Sequence, residues 1–481
     1  MRIAISNVTW RLALCMLLCF VLGEYVLAQE KENEVRSSLR NGGDFRLRQE
    51  TMDNIESPSK VIDDNYLRMR TRLWMEYDPV EHVTLRIRAL NEFRHWFAPD
   101  QDGVSESANY EWPDELVFDN IYIDLHGLLE GSFSLRIGRQ DFMVDGTDKP
   151  LYGKGRVIYD GTGEDGSRSR YFNAVRATWK PTGKTSLDAF GIYMPPKDDL
   201  AVDSVDRDLT GYTSADDDIT ETGAGLYLKN NSVATCPFET YTLYKHDDDW
   251  TQAAKKNSSG EWIQPKLAWQ TLDASAKVIE NPALDLYTVG IYFAPKFCRS
   301  ARGSFEGACQ FGERGDLDIS AFMVDAVLTQ DIPIFESLKP AVEAEFYYLS
   351  GDDPSTTRDE GWEPVWARYT QHSDLLCRTF SRCRWTNLTM PMFFLSATVI
   401  QNIRTSLGIS YVTAPEDDGL GSGKDRGWWY SAKLDYDAAQ DCLCSGDKLT
   451  FRIILEILDS GNYYLTDETA FFGQWQIIYK F

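Results

Sequence analysis

Arginine at every second position is the feature of this sequence that carries most chemistry. Arg46 and Arg48 precede Glu50; Arg68, Arg70 and Arg72 precede Glu76; Arg86 and Arg88 are followed by Glu92 and Arg94. A guanidinium keeps its charge and grips carboxylates through a planar fork of N–H donors. Successive side chains of a strand point to opposite faces, so a spacing of two gathers these groups on one face. The other parity is apolar or neutral: Phe45 and Leu47; Leu67, Met69, Thr71, Leu73, Met75 and Tyr77; Val83, Leu85, Ile87, Ala89 and Phe93. Eight arginines therefore share one wall of one sheet. Like charges side by side repel, and an ordinary wet face intersperses Lys with Glu. The wall reads as a surface built to meet anions, with Glu50, Glu76 and Glu92 as occasional partners; the bland alternative is a merely solvated face. Arg136, Arg176 and Arg452 extend it by parity, each against an apolar opposite face at Leu135 and Ile137, Val175 and Ala177, and Phe451 and Ile453.

Catalytic chemistry finds little support. The histidines His82, His95, His126, His246 and His372 are scattered, with no metal-protease or nucleophile spacing. Gly161-Thr162-Gly163-Glu164-Asp165-Gly166 matches a dinucleotide fingerprint in letters only, because it has acids where phosphates would sit. The expectation is a non-enzyme with no cofactor, no metal site and no nucleic-acid partner.

The elements that would position the arginines are short alternating strands, about eighteen of them between Phe45 and Phe481. Short links are expected at 78–83, 127–132, 181–185, 230–237, 280–283, 331–339, 402–405 and 438–447. Longer ones are expected at 53–65, 98–115, 142–169, 195–221, 246–264, 296–316, 350–389, 414–426 and 459–467. That rhythm is the one of a transmembrane up-and-down β-barrel, all-β and antiparallel, with short turns at one end and long loops at the other. A soluble sandwich also alternates, so the arginines decide. Facing lipid, each would cost ~2 to 4 kcal/mol near the bilayer midplane, so their face meets water and the opposite one meets lipid. Phe471, Gly473, Trp475, Ile477, Tyr479 and Phe481 form an apolar face running to the last residue, as a closing barrel strand does. Arg2 and Arg11 before the apolar stretch Leu12 to Leu22 read as a signal peptide over 1–28, followed by a short periplasmic lead over 29–44 and the barrel over 45–481.

The segments Phe45-Arg46-Leu47-Arg48-Gln49-Glu50, Leu67-Arg68-Met69-Arg70-Thr71-Arg72-Leu73, Leu135-Arg136-Ile137-Gly138-Arg139-Gln140-Asp141, Gly155-Arg156 and Arg170-Tyr171-Phe172-Asn173-Ala174-Val175-Arg176 resemble the alginate-export family of outer-membrane porins. The resemblance is good from residue 45 to about 195 and looser beyond. It implies an eighteen-stranded barrel in the outer membrane of a diderm bacterium, with an arginine-lined lumen that passes an acidic polysaccharide. Arg139 falls on the lipid parity of its strand and joins the lumen set on the resemblance only. Asn173 departs from the Asp expected there and leaves the pairing of nearby arginines open. Polyuronate export, oligosaccharide uptake, small-anion or sugar diffusion, and a surface enzyme or adhesin acting through the loops all remain as readings. The partners expected are outer-membrane lipid, an anionic solute or acidic polysaccharide, the barrel-assembly machinery through the strand ending at Phe481, and periplasmic export components.

The net charge of -25 is concentrated in the expected long loops, as in Asp198 to Glu221, where solvation is its simplest role. Cysteines suggest loop disulfides Cys298–Cys309 and Cys377–Cys383 in an oxidising exterior. Cys236 has no evident role. Cys442 and Cys444 share a turn too tight for an unstrained bridge, and a metal there would need further ligands.

Overall fold

The computed structural model describes residues 37–57, 61–97, 110–111, 116–159, 171–195, 220–253, 271–272, 278–334, 337–380, 384–417 and 421–481. The expected signal peptide, most of the lead, and the segments 161–166 and 198–219 lie outside them. The main sheet has 20 strands, of which Tyr110–Glu111 and Arg358–Asp359 are two-residue additions at its rim. The other 18 form the barrel. They are β1 (Ser38–Asp53), β2 (Asn65–Val80), β3 (Val83–Trp96), β4 (Val117–Leu128), β5 (Phe133–Gln140) and β6 (Phe172–Thr182). Next come β7 (Thr185–Met194), β8 (Glu221–Asn230), β9 (Phe238–Asp247), β10 (Leu284–Phe293), β11 (Ala301–Arg314) and β12 (Leu317–Asp331). The last six are β13 (Ala341–Leu349), β14 (Leu388–Ile400), β15 (Ile403–Thr413), β16 (Asp425–Gln440), β17 (Lys448–Ser460) and β18 (Ala470–Lys480).

Each strand pairs antiparallel with its sequence neighbour, and β18 returns to pair with β1, Phe45 opposite Tyr479 and Glu50 opposite Gln474. The seal runs to the final residue: Gly43 N–H donates to Phe481 O at 2.9 Å, and Phe481 N–H donates to Gly43 O at 3.0 Å. A closed sheet leaves no open edge, which is what allows strands to sit in a bilayer. The outward parity carries exposed apolar side chains around the ring, among them Ile123, Val175, Leu226, Phe311, Phe393 and Leu455. Among the described residues no helix is long and apolar enough to cross a membrane.

Three elements differ from the sequence reading. β1 begins at Ser38 rather than Phe45, because Asn41-Gly42-Gly43 reads as a turn yet lies in the sheet. Gly42 is needed for close approach: a Cβ there would lie 2.5 Å from Phe481 O and 2.7 Å from the Trp74 ring. The link 280–283 is not a short turn of the barrel, since the connection from β9 to β10 runs over 248–283 and carries a small sheet of its own. And 296–316 is not a loop. It holds β11, whose glycines at 303, 307 and 312 and charges at 302, 306, 313 and 314 weaken the strand signal. The proposed bridge between Cys298 and Cys309 fails with it: both are free, Cys298 in the link 294–300 and Cys309 well along β11 on the outward parity. Cys309 lies eight residue steps along the strand from Ala301, ~26 Å at ~3.3 Å per residue, whereas a disulfide needs Cα atoms within ~7 Å.

Barrel closure predicts a test. Gly42→Val should push Phe481 and Trp74 apart and reduce the closed, heat-modifiable form on a cold SDS gel to under about half of wild type; an unchanged band shift would mean that the seal does not depend on this contact.

Candidate functional site: an arginine wall and the segments folded against it

Arg46, Arg48, Arg68, Arg70, Arg72, Arg86, Arg88, Arg94, Arg136, Arg176 and Arg452 all stand on the inward parity of their strands. Register makes the crowding severe: Arg46 lies opposite Arg70, Arg48 opposite Arg68, Arg68 opposite Arg94, and Arg136 opposite Arg176. Carboxylates between the rows relieve it. Glu92 accepts from Arg68 and, at 2.9 Å, from Arg46. Asp44 lies 2.6 Å from Arg70 and 2.7 Å from Arg72. Glu50 lies 2.5 Å from Arg48, and Glu76 pairs with Arg86. Arg88 holds Asp119 at 2.7 Å and Asp141 at 2.9 Å, Arg136 holds Asp124 at 2.7 Å, and Arg452 holds Asp435 at 2.5 Å. Aromatic faces take further cation contacts, Arg94 over Tyr66 at 4.9 Å, Arg136 over Tyr122 at 4.2 Å and Arg176 over Phe142 at 5.5 Å.

Sequence reasoning named Glu50, Glu76 and Glu92 but missed Asp44, Asp119, Asp124, Asp141, Asp145 and Asp148. Parity could have found Asp124, which alternates with Ile123 and Leu125; the two loop acids have no local signal. Arg139 needs correction. It sits opposite Ile121 and Asn173 on the outward parity, so it does not line the lumen. Its guanidinium is buried beside the strand end, donating to Phe118 O at 2.9 Å and to Asn173 Oδ1 at 3.1 Å, over the Tyr171 ring. An amide oxygen thus takes the place where a carboxylate was expected.

The lumen is crossed by the segment that follows β5. At its near end Asp145 reaches Arg136 at 3.3 Å, and Asp148 lies 3.5 Å from Arg72 and 2.6 Å from Lys480. Tyr152 then stacks on Tyr227, ring centroids 4.1 Å apart, and donates to Asp188 at 2.8 Å. At its far end Gly153 N–H donates to Glu239 and Lys154 N–H to Glu306, at 2.9 and 3.0 Å. Lys154 Nζ lies 2.7 Å from Asp325 and 2.6 Å from Glu345, and Arg156 Nε lies 2.6 Å from Asp325. β2, which carries Arg72, and β11, which carries Glu306, are nine strands apart in the ring of 18, so this strap joins opposite walls. Its acidic half meets the basic wall, and its basic half meets an acidic one.

The connection 350–387 also turns inward and joins the strap. Trp366 N–H donates to Val157 O at 3.0 Å, and Tyr159 N–H donates to Trp366 O at 2.8 Å. Glu221 of β8 accepts from Arg368 at 2.8 Å and from the Trp366 indole at 3.2 Å. A short helix, α1 (Asp374–Thr379), is capped by Ser373 and docks its first turn on Glu456 of β17, which accepts from the N–H groups of Asp374 and Leu375 at 3.0 and 3.2 Å. Arg378 reaches Glu50. Cys377 is disulfide-bonded, and its expected partner Cys383 lies outside the described residues.

Asp325, Glu345 and His372 bring three candidate ligand atoms within 4.8 Å of one another. Lys154 and Arg156 already neutralise both carboxylates, so the group reads as the strap's anchor rather than a metal centre.

No protein-family model matches the chain, and no curated protein matches it. Solved structures do match in fold. Pseudomonas aeruginosa OccK5 (OpdH) superposes with a TM-score of 0.52 at 12% identity, over 92% of this chain and 97% of that one. Pseudomonas aeruginosa OccK2 (OpdF) gives 0.54 at 8% identity, over 92% and 97%. A BenF-like porin from Pseudomonas fluorescens Pf-5 gives 0.53 at 8% identity, over 92% and 98%. The fold is that of outer-membrane β-barrel porins.

The anchor of the second inward segment is testable. Glu221→Gln removes the carboxylate that holds buried Arg368, and breaking such a pair costs ~3 to 5 kcal/mol. Proteolysis within 350–387 should then accelerate by roughly a hundred- to a thousandfold or more with the barrel band unchanged; an unaltered cleavage rate would show that Glu221 does not hold this segment down.

Proposed function

We propose that the chain is a channel of the diderm outer membrane that passes anionic solutes, with an acidic polysaccharide or its oligosaccharides as the substrate class. The observation that carries the reading is the placement of the eight wall arginines of β1, β2 and β3 on the inward parity, continued at Arg136 and Arg176. The closed ring and its apolar exterior support the location, and the motif segments that resemble the alginate-export family support the substrate class. The partners follow from the same reading: bilayer lipid on the outside, barrel-assembly machinery acting on the strand that ends at Phe481, and periplasmic export components at the short-turn mouth.

The chemistry of passage is exchange of carboxylates. Asp145 and Asp148 present half-open carboxylates to Arg136, Arg72 and Lys480, with side-chain exposures of 74% and 44%. A uronate sliding along the wall offers the same group to the same guanidinium forks. Fixed acids beside most of these arginines prevent a bound anion from being held too tightly to leave. Lys433, Lys480 and Arg452, about two-fifths exposed at 41%, 42% and 39%, extend the accessible positive charge towards the short-turn mouth.

A general diffusion porin is the second reading. The neutralisation of Arg68 and Arg46 by Glu92, and of Arg70 and Arg72 by Asp44, favours it, because a compensated wall discriminates weakly between ions.

Reversal potential in a planar bilayer under a salt gradient separates the two, followed by polyuronate added to one side. Anion-selective current blocked by polyuronate supports the first reading, and a near-neutral, unblocked current supports the second. Asp145→Asn with Asp148→Asn should unmask the wall and raise the anion-to-cation permeability ratio about two- to fivefold. Arg452→Gln should lower that ratio while leaving the barrel intact. Arg68→Gln should instead cost folded protein, since buried Glu92 would keep its charge with one guanidinium fewer.

A further inference from the structure

The turn between β16 and β17 carries a feature that channel function does not use. Asp447 folds back into it, and its carboxylate accepts from three successive backbone N–H groups, those of Cys442 at 2.7 Å, Leu443 at 2.7 Å and Cys444 at 3.0 Å. The Tyr479 hydroxyl of β18 donates to the same carboxylate at 2.8 Å. Asp441 N–H to Asp447 O at 3.1 Å, and Gly446 N–H to Asp441 Oδ1 at 2.6 Å, close the ring. The result is that both thiols converge on one atom: Cys442 Sγ lies 3.5 Å and Cys444 Sγ 3.8 Å from Asp447 Oδ2. Both are free and exposed, and Leu443 between them stands out at the turn's apex.

We propose that Cys442 and Cys444 form a binding site for a soft monovalent cation of the copper(I) class, held between two thiolate sulfurs. Soft sulfur ligands select such ions over harder ones. Zinc fits poorly, because a closed zinc site needs four ligands and Asp447 Oδ2 is already engaged by Leu443, Cys444 and Tyr479. Asp447 is therefore a positioning residue: it fixes the backbone of the turn from which both thiols project, and closing on one ion requires each side chain to turn from Asp447 Oδ2 towards the other. Binding is a proton-for-metal exchange in which two S–H bonds are lost, two metal–sulfur bonds form and two protons leave to solvent, with no change of oxidation state. The site lies at the short-turn mouth, on the compartment side of the barrel that receives the chain after export under the reading above. The metal chemistry itself does not depend on that reading.

The test uses the full-length barrel in detergent, reduced and anaerobic, titrated with copper(I) against a chromogenic copper(I) chelator. Wild type should hold one ion per chain in competition with the chelator. Cys442→Ser and Cys444→Ser should each weaken that binding by roughly a hundredfold, and Cys236→Ser with Cys298→Ser should leave it unchanged. Heat-modifiability on a gel verifies that each variant is a closed barrel. Retained affinity in the Cys442→Ser, Cys444→Ser double variant would overturn the proposal. So would recovery of the wild-type pair as a disulfide that takes up no copper(I) after reduction.

Discussion

Positive charges set side by side inside a closed sheet must be neutralised where they stand, and most of the interior follows from that. The wall strands place guanidinium opposite guanidinium at Arg46 and Arg70, Arg48 and Arg68, and Arg68 and Arg94, an arrangement that repels unless carboxylates enter between the rows. Glu92 between Arg46 and Arg68, Asp44 between Arg70 and Arg72, and Asp119 with Asp141 on Arg88 meet the requirement. In a low-dielectric interior such pairs offset their desolvation only when geometry is good and few lone pairs are wasted. The shared carboxylates, each serving two arginines, are an economical form of that geometry.

The same rule explains why the connections between strands fold inward. The far wall has the opposite problem, with Glu239, Glu306, Asp325 and Glu345 on adjacent or nearby strands. A strap whose acids precede its bases can satisfy both walls at once, and its backbone N–H groups serve the acids that Lys154 and Arg156 do not reach. Once it is in place, Trp366 and its neighbours have a surface to pair with, and Glu456 gives α1 an anchor for its first turn.

Alternation made the barrel and its inward parity legible in the sequence, because lipid on one side and water on the other impose a period of two that no loop reproduces. Its limits were local. Glycines in β1 and β11 mimic turns, yet Gly42 is there because the terminal carbonyl leaves no room for a side chain. Arg139 followed family resemblance against its own parity, and parity was right. The strap was not legible, since Asp145, Asp148, Lys154 and Arg156 carry no periodicity and acquire meaning only across the lumen. The bridge assigned to Cys298 and Cys309 fell with the misplaced strand between them.

A tie between diametrically opposed walls has a mechanical meaning. An empty ring of strands can flatten into an ellipse at little cost, because shearing the sheet breaks few hydrogen bonds. A ring with a cross-brace cannot, since moving β2 away from β11 would pull charged groups out of contact at one end of the strap or the other. With the number of strands fixed, narrowing one diameter must widen the other, so a brace that holds one diameter holds the whole cross-section against ovalisation. Lateral pressure from the bilayer then meets a lumen whose cross-section is held by the brace as well as by the number of strands.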